Sequence, residues 1–438
     1  MKSAHPFHAP QSFSPSSLET MSDHLTSLPF ELFEMIVQLA QANPQTKTLY
    51  VSKAFRPFAR RHLFESTKIR SYGRLATLFD LITTDKAIVP FIKTLDISLK
   101  GEKDPGVPKD RALTTGFAHL FATEIVGIEY SSRIAKTVLS PLNERSLISM
   151  RSLMIKDPLD GFQNPLDPSH YRWLERYTNL YSFELAITRD VNEIGRKRRS
   201  SSNAEDSTNW QIGYLGLEAP CINNPSIHDF ISFFPNIVSF DIFERTDDGT
   251  SCLLPILSQI DTPEDLDYLQ LMSYAEPEEP EDLSRILPRF KNLSYLDFGP
   301  GTLHNKSFNL LNHSTFPHLE ILSLRYGVDI STVQIKSLIT GDKKLSNLRC
   351  VSLALIMKDP EIYGEGDYER DFDMGGWLAP LGFTAKFTPK GLEEIVEVAD
   401  REGMHLEGYA VSFARREIES RKKDAKGRSN WERKMGFY

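Results

Sequence analysis

The residues of this sequence best suited by type to do chemistry lie in the acidic stretch from Met357 to Gly376. Gly364-Glu365-Gly366-Asp367-Tyr368-Glu369 begins like a phosphate cradle, in which the backbone N–H groups of a glycine loop wrap an anion. It lacks the third glycine and carries the same charge as its ligand would. Asp371 and Asp373 offer hard oxygen ligands of the kind a divalent cation takes, but in so charged a stretch the pair reads as a solvated acidic loop. The sequence contains no GxSxG elbow, no HExxH pair and no Walker glycine–lysine loop. Cys221, Cys252 and Cys350 are far apart and form no CxxC pair, which argues against a disulfide framework or a cysteine-rich metal centre. The expectation is a protein that is not an enzyme. It should have no catalytic residues, no metal and no cofactor, and sit in a reducing compartment, cytoplasmic and/or nuclear.

Chemistry of contact is left, and composition narrows it. A chain of 438 residues with 40% hydrophobic and 11% aromatic content has ample core for two or three domains or one elongated repeat array. A formal net charge of −8 argues against a dedicated nucleic-acid binder, which needs phosphate-neutralising charge. No apolar run is long enough to span a bilayer, and the Pro, Ser, His and Phe mixture of Met1 to Thr20 is no secretory signal, so residues 1–22 are expected to be disordered. Partners are expected to be proteins, with no nucleic acid and no membrane.

Helical signals begin at Leu25-Thr26-Ser27-Leu28-Pro29-Phe30-Glu31-Leu32, where Pro29 suits a first helical turn because its missing N–H would have no partner there. Leu32, Ile36 and Leu39 recur on one helix face; Asn43-Pro44 breaks the pattern. Leu49 to Ser52 predicts a second short helix and Phe55, Phe58, Ala59, Leu63 and Phe64 a third. Three short helices in so few residues bury little of their own surface and need a partner or a neighbouring domain. The order Leu28-Pro29-x-Glu31-Leu32, Ile36, Leu39, Leu49-x-Val51-Ser52-Lys53, Leu63-Phe64 resembles the F-box, here spanning residues 23–69. That resemblance implies docking on the Skp-type adaptor of a cullin–RING ubiquitin ligase through Leu28, Pro29, Leu32, Ile36, Leu49 and Val51.

Downstream, an apolar-x-x-apolar-x-apolar string recurs with middle residues Leu95, Leu153, Phe183, Leu215, Phe240, Leu269, Leu296, Leu322 and Val351, at separations of 58, 30, 32, 25, 29, 27, 26 and 29 residues. A degenerate copy, Thr123-Val126-Ile128, falls inside the long gap, giving about ten units. Helical patterns lie between strings, as at Leu75, Leu78, Phe79 and Ile82, at Leu283, Ile286, Leu287 and Phe290, and at Ile335, Leu338 and Ile339. One strand and one helix per unit cannot bury their own apolar faces, so units must stack into a solenoid, with a parallel sheet on the concave side and helices on the convex side. The alternative is an ordinary doubly wound α/β domain. The pattern resembles the leucine-rich repeats that follow the F-box in many ligase receptors. The asparagine that such repeats carry three positions after the string is replaced here by Lys100, Pro158, Thr188, Pro220 and Arg245, so irregular repeats are expected.

The expected fold is therefore α/β: a short three-helix F-box followed by an irregular leucine-rich-repeat solenoid over residues 70–411, with a polar insert at 189–209, an acidic and glycine-rich loop at 357–380 and a basic tail at 412–438. The insert holds Arg196-Lys197-Arg198-Arg199, readable as an exposed loop or an import signal; the tail is nine parts basic to four acidic from Arg415 to Lys434. Near its end Thr388-Pro389 predicts a helix start, Gly403 its stop, and His405 to Val411 a last strand. Within each string the residues between the apolar positions point away from the core. They include Asp96, Glu184, Asp241, Tyr268, Tyr295 and Asp297, an acidic and aromatic set that suits a protein partner carrying Arg or Lys. The resemblance implies a substrate receptor of an SCF-type ligase, with a repeat scaffold outside any ligase as the alternative.

Overall fold

The computed structural model describes residues 64–99, 110–138, 147–157, 166–187, 212–219, 226–244, 253–273, 283–299, 302, 308–325, 330–341, 343–353, 389–408, 411–412, 414–416 and 418–423. The helices expected before Phe64, the six adaptor-docking positions, the insert at 189–209 and the loop at 357–380 lie outside them.

Every string becomes a strand. In chain order these are β1 (Ser66–Ile69), β2 (Thr94–Ser98), β3 (Ile125–Glu129), β4 (Ser152–Lys156), β5 (Ser182–Ala186) and β6 (Tyr214–Ala219). They continue as β7 (Ser239–Glu244), β8 (Tyr268–Ser273), β9 (Tyr295–Phe298), β10 (Ile321–Leu324), β11 (Cys350–Leu353) and β12 (His405–Glu407). They form a single sheet of 12 strands whose spatial order is the sequence order. Every neighbouring pair is parallel. A doubly wound domain would reverse strand order at a switch point, and no reversal occurs here. The register places the middle residues of the strings in one row, from Leu95 through Val126, Leu153, Phe183, Leu215, Phe240, Leu269, Leu296, Leu322 and Val351 to Leu406. The described chain is thus an α/β solenoid of leucine-rich-repeat type.

Four details differ from expectation. Ser66–Ile69, expected to close the helical module, is the first strand of the sheet. The degenerate copy at Val126, one of the ten expected units, is a full strand in register with its neighbours, and β1 and β12 bring the sheet to 12 strands. The stretch Leu283 to Phe290 makes two 3-10 turns, Leu283–Arg285 and Leu287–Arg289, because Pro288 withdraws an N–H from any continuous helix. The last strand ends at Glu407, well short of Val411.

The helical layer covers the apolar side of the sheet. Its α-helices are α1 (Tyr72–Thr84), α2 (Asp110–Ala118), α3 (Ser132–Val138), α4 (Ser226–Ser232), α5 (Leu253–Ser258), α6 (Thr332–Thr340) and α7 (Pro389–Glu402), with 3-10 turns in other units. Leu75, Leu78, Phe79 and Ile82 of α1 and Ile335, Leu338 and Ile339 of α6 are buried at the helical spacing read from the sequence. Ser71 caps α1 by accepting from Arg74 N, and Ser331 with Gln334 forms a capping box on α6. Four buried rings bind the middle units together: Tyr171 lies 5.2 Å from Phe183 and 5.5 Å from Phe230, and Phe230 lies 5.3 Å from Phe234.

The expected lack of an asparagine ladder needs revision in position. Asn179, Asn292 and Asn347 each stand three residues before their strand, and their side-chain amides donate to carbonyls one unit back, at Ile148 (2.7 Å), Glu264 (2.7 Å) and Pro317 (2.6 Å). The backbone repeats the same economy from β2 to β11: Glu124 O accepts from both Arg151 N and Ser152 N, and Asp267 O from both Ser294 N and Tyr295 N. The side-chain ties between units thus stand ahead of the strand instead of after it.

At the far end α7 stops at Gly403, which takes the left-handed conformation with φ +70°. Part of the expected basic tail belongs to this cap. Val411 and Ala414 are buried in the core, and Arg415 and Arg421 pair with Asp400 (2.9 Å) and Glu393 (2.7 Å) of α7.

Candidate interaction face

Alternation along the strands leaves one side of the sheet free of the helical layer, and parallel pairing in strict register arranges its side chains in rows. The first row runs Thr94, Ile125, Ser152, Ser182, Tyr214, Ser239, Tyr268, Tyr295, Ile321, Cys350 and His405. The second, two residues on, runs Asp96, Gly127, Met154, Glu184, Gly216, Asp241, Gln270, Asp297, Ser323, Ser352 and Glu407. All six expected face residues stand in these rows. The structure brings five of them, Glu184, Asp241, Tyr268, Tyr295 and Asp297, into one region spanning β5 to β9. Asp96 stands apart on β2 and is paired with Arg70 at 3.3 Å.

The region is a chain of like charges with one built-in cation. Asp297 is fully buried and pairs with Arg325 at 2.6 Å, the guanidinium also donating to Gln270 Oε1 at 3.2 Å. Burial nevertheless lifts the Asp297 carboxyl above the usual range, against the pull of Arg325 and Ser323. Asp241 is lifted by burial and by the like charge of Asp297, and the Tyr214 hydroxyl donates to its Oδ2. Its Oδ1 is buried with no hydrogen-bond partner among the described residues. Glu184 is lifted by burial and by Asp241. Alternate strands are roughly 9–10 Å apart, so each neighbouring carboxylate pair repels by on the order of 1–2 kcal/mol at an effective dielectric of about 20.

Gly216 leaves room for the Glu184 stem: a Cβ at that position would stand 2.8 Å from Glu184 Cγ, so any larger residue there would make the glutamate shift. On the other flank Tyr268 and Tyr295 stack, with centroids 4.5 Å apart and planes at 17°, and Tyr268 donates to Gln270 Oε1 at 3.1 Å. Burial pushes both phenols up, so they stay neutral donors at any working pH. Among the described residues the arrangement has no nucleophile–base pair and no oxyanion cradle; it sets carboxylates beside aromatic faces.

Tyr214, Gly216 and Arg325 complete the site although none stands out by type in the sequence. Tyr214 and Gly216 are the outward positions of the Leu215 string. Arg325 follows directly on the Leu322 string and shares a sheet face with the residue two before it, Ser323.

One group of three metal-ligating side chains also converges among the described residues. Cys350, His405 and Glu407 on β11 and β12 have ligand atoms within 4.8 Å of one another, with His405 Nε2 at 3.9 Å from Glu407 Oε2. A thiolate, an imidazole and a carboxylate would suit zinc. Burial and Glu407 push the Cys350 thiol up, so it is protonated without a metal. No helix among the described residues is long and apolar enough to cross a membrane.

No protein-family model matches the chain, and no curated protein is significantly similar to it. Among solved structures it is similar to the leucine-rich-repeat-containing protein LegL7 from Legionella pneumophila, at 14% identity and a TM-score of 0.41, over 81% of this chain and 97% of that one. A protein from Bacteroides fragilis is similar at 16% identity and a TM-score of 0.31, over 66% of this chain and 67% of that one. The assignment of the fold rests on the strand order and register of the sheet itself, which make the described residues a leucine-rich-repeat-type solenoid with one open face.

Proposed function

We propose that the chain is the substrate-receptor subunit of an SCF-type cullin–RING ubiquitin ligase, a non-catalytic part that holds a protein substrate on the open face of the solenoid. The observation that carries this reading is the motif order from Leu28-Pro29 to Leu63-Phe64, followed without a linker by the first strand at Ser66. Phe64, the last residue of that motif, packs against the solenoid core, and the adaptor would be bound through Leu28, Pro29, Leu32, Ile36, Leu49 and Val51. Such a receptor makes no bonds. It raises the rate of transfer by keeping a substrate lysine near the charged conjugating enzyme, and for that a stiff spacer with a binding face is what physics requires.

The test is retention of the full chain on immobilised recombinant Skp-type adaptor. Wild type should be retained and Leu28→Ala/Pro29→Ala should not. No retention of wild type overturns the ligase reading and leaves a repeat scaffold that works outside it.

A further inference from the structure

We infer that the Glu184–Asp241 step of the open face is a seat for a lysine or arginine side chain, so that the partner is a protein presenting an exposed basic segment. This rests on the reading of that face as the substrate surface. Three carboxylates, Glu184, Asp241 and Asp297, are held in line, and Arg325 is committed to the last. Asp241 receives one bond, from Tyr214, and keeps a buried oxygen without a partner. A buried acceptor left open beside a like charge is unfavourable in the free protein and is relieved by a cationic donor. Glu184 lies against Gly216 and supplies a second carboxylate within electrostatic range of Asp241, so a cation seated there meets both.

The surroundings fit an organic cation better than a bare ion. The aliphatic stem of a lysine or arginine needs an apolar or aromatic wall, and Tyr268, on the strand next to Asp241 and stacked on Tyr295 of the strand beyond, offers one. An acidic segment would meet net negative charge, and a purely apolar one would leave Asp241 unsatisfied.

The probe is an immobilised library of random hexapeptides incubated with the purified full chain. Wild type should select peptides with Lys or Arg enriched at one position. Glu184→Gln and Asp241→Asn should each weaken binding of the selected peptides by about tenfold or more, as loss of a buried charge partner does. Glu394→Gln, an equal charge change on α7 paired with Lys336, should leave it unchanged. Selection of acidic or apolar peptides, or a basic preference that survives both face substitutions, overturns the inference. Circular dichroism of each variant separates lost binding from lost fold. Retention on the Skp-type adaptor is read on the same proteins. Retained adaptor without basic selection defeats this inference alone, and basic selection without adaptor defeats only the ligase reading.

Discussion

Replacing Arg325 with Met isolates the electrostatics of the open face. The substitution removes the cation 2.6 Å from Asp297 and leaves a carboxylate with no exposed surface, two strands from Asp241. Breaking a buried ion pair by deleting one member costs about 3–5 kcal/mol. The Arg325 side chain keeps 35% of its surface in water, so solvent screens part of the pair and the lower end, about 3 kcal/mol, applies. Asp297→Asn alone should cost far less, about 1 kcal/mol, because the released guanidinium still has Gln270 and water. The double variant should match Asp297→Asn. Urea unfolding of the full chain, followed by far-ultraviolet circular dichroism at pH 7, reads these differences as midpoints. The pH dependence has a definite sign. Without Arg325 the folded-state pKa of Asp297 rises further above its unfolded value, so the folded state binds the extra proton and the deficit grows as pH rises. It should shrink toward pH 4. A loss under about 1 kcal/mol for Arg325→Met, or a double variant as unstable as it, refutes the reasoning.

Glu184→Gln should raise the unfolding midpoint at pH 7, since burial and Asp241 hold the native carboxyl above its unfolded pKa and its charged form weakens the fold; the gain should vanish near pH 4, where both states are protonated. Gly408→Ala puts a side chain at φ +118° with its Cβ 2.3 Å from Leu353 O, a clash with backbone that should cost about 2–3 kcal/mol. Amide exchange should then quicken across His405–Glu407 and stay unchanged in β2 to β5. Tyr171→Ala empties the centre of the aromatic cluster and should cost about 3–5 kcal/mol in the same urea experiment.

The repeat is legible in the sequence wherever all three positions of a string are apolar, and faint where a hydroxyl replaces one. Thr123 stands in the first position of the β3 string, fully buried, and its hydroxyl is satisfied by Ile92 O at 3.0 Å. Thr67 takes the middle row of β1 and donates to Phe64 O at 2.9 Å. Both are polar by type; Thr123 is acceptable to the core, and Thr67 to its half-buried place, because each carries its own partner. The asparagines were visible too, at Asn179-Leu180, Asn292-Leu293 and Asn347-Leu348, but ahead of the string instead of behind it. Of the open face, alternation alone gives which residues share a side. That Glu184 stands beside Gly216, with Asp241 next in the same row, depends on the register between strands, set by the turns of neighbouring units, and no single string contains it.

The in-order sheet has a consequence for how the chain is made. From β1 to β11, paired strands begin 25 to 32 residues apart, so each new strand closes a loop of nearly constant length against an edge already present. No strand waits for a distant stretch of chain, and the array can be laid down in the order of synthesis, one unit behind the ribosome. The exception is β12, which begins 55 residues after β11. Closure entropy grows only with the logarithm of length, so that longer span adds roughly 0.6 kcal/mol over the others. Chain length between β11 and β12 is therefore nearly free to vary, whereas the loss of any middle unit would separate its neighbours' rows for good.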